Sequence, residues 1–412
     1  MTREMKNSGV EWIGDIPSEW KYIKIKYIYN IKKAKLPSEF FSDNSLAPYL
    51  TMDYIRGVSD NLQYAKDGDY CTENDLLLIW DGSNSGEIIF NHPCGYAPST
   101  TAILKLKALI DEQYAKYYLK FFEVELRNNT NGMGIPHIDA NFLKNAYILF
   151  PPLPEQKRIA DFLDSKVTEI DKIISETKAS IENYKKYKQS VITEAVTKGL
   201  DKNVPMKDSG IEWIGKIPCE WKINMLSQIF YQHKCKNKDL QENNLLSLSY
   251  GKIKRKNIDV AEGLLPESFD NYNIIDVNDI VLRLTDLQND HKSLRVGIVK
   301  EKGIITSAYI TLRSKENIDT DYFYYYLHTF DIHKGFYGMG CGVRQGLNFD
   351  ELKKLKILYP GAEEQKSIVN FLDNKCAEID NLISEKEKLI TNLEEYKKSL
   401  IYEYVTGKKA VE

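Results

Sequence analysis

The sequence of 412 residues has no apolar stretch approaching the roughly 20 residues that a membrane-spanning helix needs. Leu76-Leu77-Leu78-Ile79-Trp80 is typical of its hydrophobic runs, and all are short. Cysteine is sparse and unpatterned. Cys71, Cys94, Cys219, Cys235, Cys341 and Cys376 form no C-x-x-C and no zinc-ligand spacing, so they read as the reduced thiols of a cytoplasmic protein. The N-terminal residues Met1 to Ser8 are polar and charged, without the apolar core of a secretory signal. Charge of one sign is also lacking. The net charge is −3, and segments 1–154, 155–200, 201–359 and 360–412 carry −3, +1, +2 and −3. If the chain holds a nucleic acid, its cations must be concentrated locally or a partner must supply them.

Signatures of catalysis are missing as well. No G-x-x-x-x-G-K-[ST] phosphate loop occurs. Phe150-Pro151-Pro152-Leu153 lacks the polar residue before the prolines and the aromatic after them that a base-holding methyltransferase loop requires. Glu19-Trp20-Lys21 and Glu220-Trp221-Lys222 read E-x-K, but no Pro-Asp stands where a nuclease would need it. His328 and His333 have no carboxylate or thiol at ligand spacing, so no metal site is expected there.

What the chain does have is a copy of itself. Residues 5–21, MKNSGVEWIGDIPSEWK, return at 206–222 as MKDSGIEWIGKIPCEWK, with 13 of 17 positions identical. EQKRIADFLDSKVTEIDKIISE (155–176) returns as EQKSIVNFLDNKCAEIDNLISE (364–385), and Tyr187 with Val196-Thr197 returns as Tyr396 with Val405-Thr406. Residues 22–140 and 223–348, between these blocks, share almost nothing. A period near 200 residues is too long for a solenoid and marks a duplicated domain pair. The repeated blocks read as surfaces for something fixed, and the dissimilar segments as parts that do different jobs.

The block after residue 155 spaces Ile159, Phe162, Leu163, Val167, Ile170, Ile173 and Ile174 by threes and fours, as a helix does. The second copy repeats this with Ile368, Phe371, Leu372, Cys376, Ile379, Leu382 and Ile383. Prolines precede both runs, and neither contains proline or glycine before Gly199 and Gly407. Residues 155–197 would span roughly 65 Å as helix. Two such stripes in one chain predict an intramolecular coiled coil; two separate helices, each lying on its own domain, are the alternative. In the dissimilar segments Asp75–Trp80 and Asp279–Leu284 predict buried strands. A second apolar run follows each, and then a tyrosine-rich helix (Tyr114 to Phe122, Tyr322 to Leu327) read as core.

Together these features resemble the specificity subunit of type I restriction-modification systems. The carrying motifs are Trp12-Ile13-Gly14-Asp15-Ile16-Pro17 with Trp20, and Pro151-Pro152-Leu153-Pro154-Glu155-Gln156 with Phe162-Leu163-Asp164. The second copy keeps Trp213-Ile214-Gly215 and Trp221 but has a single proline, Pro360, before Gly361. The resemblance covers the whole chain and implies an α+β fold: target-recognition domain 1 (1–154), a central helix (155–200), target-recognition domain 2 (201–359) and a C-terminal helix (360–412). The two mixed α/β recognition domains would be joined by the two long helices as an antiparallel coiled coil. It further implies a non-catalytic subunit that reads a bipartite double-stranded DNA target. Two methyltransferase subunits would dock on the repeats, and motor-nuclease subunits would join through them. S-adenosylmethionine, ATP and Mg would belong to those partners, with no cofactor or metal on this chain and no membrane. Docking and coiled-coil contacts would fall to Trp12, Trp20, Trp213, Trp221, Phe162, Leu163, Ile170, Phe371, Leu372 and Ile379.

Base readout needs edge-discriminating side chains on approachable loops. The first domain offers Ser83 and Asn84 in Asp81–Gly86, then Asn129, Asn131 and His137; the second offers Arg283 and Gln288, then Arg344 and Gln345. Taken singly, each also fits an ordinary turn. Phosphate contacts are expected from Lys32, Lys33 and Lys35, and from Lys252, Lys254 and Arg255, runs that equally fit a solvated strand face. The alternatives to a DNA reader are a coiled-coil scaffold that binds only protein and a stand-alone DNA-modifying enzyme.

Overall fold

The computed structural model describes residues 3–132, 134–256, 268–287, 294–316, 318–339 and 346–411. They divide into two compact units, residues 1–178 with 387–412, and residues 179–386.

In the first unit β1 (Lys21–Lys24), β2 (Tyr29–Lys33), β3 (Leu76–Ile79), β4 (Ile88–Ile89) and β5 (Thr101–Leu106) precede α1 (Glu112–Asn128) and β6 (Tyr147–Phe150). The central sheet is antiparallel in the order β2-β5-β3-β4, and β6 pairs with β1. The pleat sorts its residues between two cores. Leu76, Leu78, Ala102 and Leu104 face the tyrosine-rich helix α1, while Leu77 and Ile103 face Leu50, Cys71 and Ala97 on the opposite side. Cover on both faces is why Leu76–Ile79 reads as an unbroken apolar run. Asp111 caps α1 by accepting from the Tyr114 N–H at 2.9 Å. After β6 comes α2 (Leu153–Lys198), two residues earlier than the repeat suggests because Pro154 fits a helix's first turn.

The second unit rebuilds this plan from other residues. It comprises β7 (Lys222–Met225), β8 (Phe230–His233), β9 (Ile280–Leu282), β10 (Val296–Ile298), β11 (Ile310–Ser314), α3 (Thr320–Ile332) and β12 (Lys356–Tyr359). Its sheet runs β8-β11-β9-β10, with β12 on β7. Ile280 and Leu282 face α3, while Val281 faces Leu246, Leu248 and Ile275. Beneath that sheet the units again share a plan: a parallel bridge, Tyr49 with Tyr96 in the first and Leu245 with Ile304 in the second, joins two antiparallel pairs.

The chain closes with α4 (Ala362–Val405). Each long helix contributes one part to each unit, and in each unit the two parts pack antiparallel. In the first, Phe162 lies against Tyr404 with ring centroids 4.4 Å apart, Asp171 accepts from Lys397 at 2.6 Å, and Lys178 reaches Glu394. In the second, Lys188 donates to both oxygens of Asp380 at 2.7 Å, and Lys386 lies over the Tyr184 ring.

The repeated blocks turn out to be clips. The Trp20 indole N–H donates to Glu155 at 3.0 Å, and that of Trp221 donates to Glu364 at 2.8 Å. Gln156 and Gln365 donate to the carbonyls of Pro151 and Pro360. The hydroxyl of Tyr114 donates to Val405 O, at the end of α4, and that of Tyr322 to Val196 O, near the end of α2. Gly407, at φ +71°, ends the turn after α4; a Cβ there would stand 2.5 Å from Pro17 Cδ. Trp20 and Trp221 are 0% and 1% exposed. This corrects the expectation that they dock a partner: they close their own domains. Leu163, Ile170, Leu372 and Ile379 are also buried; Trp12, Trp213 and Phe162 are half-buried, and Phe371 is exposed.

Candidate nucleic-acid interface

In the first unit the turn between β3 and β4 and the segment after α1 carry the candidate readers, and the chain ties them together. The segment after α1 is a short hairpin, Thr130–Asn131 against His137–Ile138, where the sequence suggests an open loop. Two-residue strands are too brief to show as alternation. Ile138 N donates to Trp80 O at 3.0 Å and Gly82 N to Pro136 O at 3.0 Å, so the turn and the hairpin move as one. Gly86, at φ +95°, is required where the turn passes α1, since a Cβ would lie 2.8 Å from Arg127 Cγ.

Side chains reinforce the tie. One carboxylate oxygen of Asp81 lies 2.7 Å from His137 Nδ1, and the other 2.8 Å from Lys33 Nζ. Partial burial works to raise the Asp81 carboxyl, but the hydrogen bonds from Lys33 and His137 outweigh it and hold it below its ordinary 3.8. Lys32 pairs likewise with Asp69 at 2.5 Å, and that bond is the main reason the Asp69 carboxyl is lowered. The Lys35 N–H donates to Asp69 at 2.9 Å. Two of the three expected phosphate-binding lysines therefore already hold carboxylates. The lysines are exposed but Asp69 is buried and Asp81 half-buried, so a phosphate that drew the lysines away would leave those carboxylates without their cations. Ser83, Asn129, Asn131 and His137 are exposed, and Asn84 is half-buried. Asn129 also ends α1, its amide donating to Glu125 O.

The second unit ties its segments by the same bond. Leu347 N donates to Leu284 O at 2.9 Å, and Leu284 occupies the place after β9 that Trp80 occupies after β3. Arg283 is half-buried beside this junction. Gln288, Arg344 and Gln345 lie outside the described residues. Lys252, Lys254 and Arg255 are exposed on the strand Lys252–Arg255, some distance in sequence from the junction, and Arg255 is bound to Glu301. Sequence reasoning missed Arg295, which is fully buried against the turn after β9. Its only signal is a single cation inside the apolar run Leu294-Arg295-Val296-Gly297.

Among the described residues no group of three or more histidines, cysteines or acids could hold a metal, and no helix is long and apolar enough to cross a membrane.

The model of the type I restriction modification DNA specificity domain matches this chain twice, at residues 17–183 and 218–394. The chain belongs to that family. As in other type I specificity subunits, its two matched domains are target-recognition domains, and the family is one of non-catalytic subunits that work in a complex with DNA. The type I restriction enzyme MjaVIII specificity subunit of Methanocaldococcus jannaschii is 30% identical over 95% of this chain and 93% of its own length. The EcoBI specificity subunit of Escherichia coli is 23% identical over 95% and 85%. A chain solved in work on complex assembly and conformational transition of a type I restriction-modification system shares the fold. Its TM-score is 0.70 at 14% identity, over 96% of this chain and 99% of that one.

Proposed function

We propose that each unit of this specificity subunit reads one half of a bipartite DNA target through its tied pair of loops. The long helices serve as the spacer. Two adenine-N6 methyltransferase subunits dock on the repeated blocks, and motor-nuclease subunits join through them; S-adenosylmethionine, ATP and Mg are handled by those partners. One observation carries the reading. The same backbone bond, Ile138 to Trp80 and Leu347 to Leu284, joins the same two segments in both units, while the side chains mounted there differ. A shared frame with exchanged side chains is what reading two different sequences requires. Since Trp20 and Trp221 are interior, docking falls to repeated positions that are exposed, such as Tyr187 and Tyr396.

The test is to exchange residues 223–348 for the matching segment of another specificity subunit and map modified adenines in a host expressing the whole complex. One half of the recognised motif should change and the other persist. Alteration of both halves, or of neither, counts against the reading.

A further inference from the structure

We propose that Arg295 is a positioning residue that sets the backbone of the second unit's reading turn, a task that the first unit gives to Asp81. The proposal rests on the DNA-reading function proposed above and adds which residue fixes the aim of the second domain.

Arg295 immediately precedes β10, and its guanidinium lies beneath the turn that leaves β9. Nη1 donates to Arg283 O at 3.1 Å and to Thr285 O at 2.8 Å, and Nη2 donates to Asp286 O at 3.3 Å. Nε donates to the Tyr337 hydroxyl at 3.2 Å. The main chain joins in: Arg295 N–H donates to Asp331 on α3 at 2.6 Å, and Arg283 N–H donates to Arg295 O at 2.9 Å. Asp286 adopts φ +57°, a left-handed conformation that an aspartate tolerates when its surroundings enforce it. Three carbonyls of one short turn thus point at one buried cation.

The chemistry is selective. Buried carbonyls need donors, and a guanidinium presents five in a rigid fork, whereas an ammonium presents three from one point. Burying that charge is costly unless its hydrogen bonds are made, so the turn and the guanidinium fix each other. Thr285 is exposed on this turn, and Arg283 begins it.

The first unit shows that the position is free to differ. By strand pairing, Ile88 opposes Leu78 as Val296 opposes Leu282, so Glu87 stands where Arg295 stands. Glu87 bonds outward to Arg56 at 2.9 Å, and the turn is held instead by Asp81 through Lys33 and His137. The two turns are anchored by side chains of opposite charge from different places, so one can be loosened without the other.

The experiment uses the whole complex in its host, with modified adenines mapped for Arg295→Lys and Tyr337→Phe and thermal melts run on both. Arg295→Lys should raise modification at single-mismatch sites about ten-fold in the half-site assigned to the second domain by the segment exchange, leaving the other half as strict as before. Tyr337→Phe, which removes one acceptor, should do the same more weakly, and it decides the matter if Arg295→Lys does not fold. Unchanged discrimination in folded variants overturns the proposal, as does an equal loss at both halves, the mark of general destabilisation. A wild-type complex with no bipartite motif removes the DNA-reading function and this proposal with it; a motif that neither variant relaxes removes the proposal alone.

Discussion

The Trp221 indole donates its N–H to the Glu364 carboxylate at 2.8 Å, across 143 residues of chain. Trp20 and Glu155 make the same bond across 135. Two motifs that look like separate signatures in the sequence are the halves of one latch. Its ends are the entry and exit of a domain whose interior has diverged.

Breaking this latch should destabilise the second unit. Trp221→Phe keeps most of the buried ring but leaves Glu364 without that donor, a loss of about 1–3 kcal/mol. A double-mutant cycle with Glu364→Ala, which removes the acceptor, read by urea unfolding, should return a coupling energy of about 1 kcal/mol or more. Simple additivity within about 0.3 kcal/mol would mean that the bond contributes only shape.

Acid should weaken the second unit before carboxylates titrate. His328 is pushed down from 6.5 to about 4, chiefly because burial disfavours the imidazolium and secondarily because Lys188 is near. Its Nδ1 has no hydrogen-bond partner among the described residues. Between pH 6.5 and about 4 the unfolded chain binds a proton that the folded one refuses, so stability falls as pH falls through that window. The full shift corresponds to at most about 3 kcal/mol, less whatever solvent screens. Melting temperature measured against pH should show this slope in the wild type and a flatter one in His328→Gln. Parallel curves would assign the acid sensitivity to other groups.

Tyr187 and Tyr396 are 51% and 55% exposed at matching positions of the two helices. If they dock the two methyltransferase subunits, Tyr187→Ala alone should leave a complex with one such subunit bound firmly and the other weakened by about ten-fold or more. The paired variant should lose both. Native mass spectrometry reads the stoichiometry directly, and a full complement on the paired variant would move the docking surface elsewhere.

Much of this architecture could be read in the residues, for physical reasons. Leu76–Ile79 and Ile280–Leu282 are covered on both faces, so their burial is written as unbroken apolar runs. The long helices repeat their stripes over more than forty residues, enough for the period to show. Other features have no local trace. The hairpin Thr130–Asn131 with His137–Ile138 is two residues deep, and its position depends on Trp80 and Pro136, which lie outside it or between its strands. Arg295 reads as an ordinary surface cation until the carbonyls of Arg283, Thr285 and Asp286 are seen to turn toward it. Lys32 and Lys33 could be picked out as a basic run, but that Asp69 and Asp81 already hold them is a fact of the fold.

Those occupied lysines have a consequence for behaviour. Cations engaged by their own chain's acids show little charge to passing duplexes, and net charge −3 adds no general attraction. If Lys32 and Lys33 meet backbone phosphates, as the proposed DNA-reading function expects, lingering on unmatched DNA would be discouraged, and the exchange of Asp69 or Asp81 for a phosphate would become worthwhile only where base contacts hold the two molecules together long enough. On that reading, economy of charge would let this chain hurry past the wrong address.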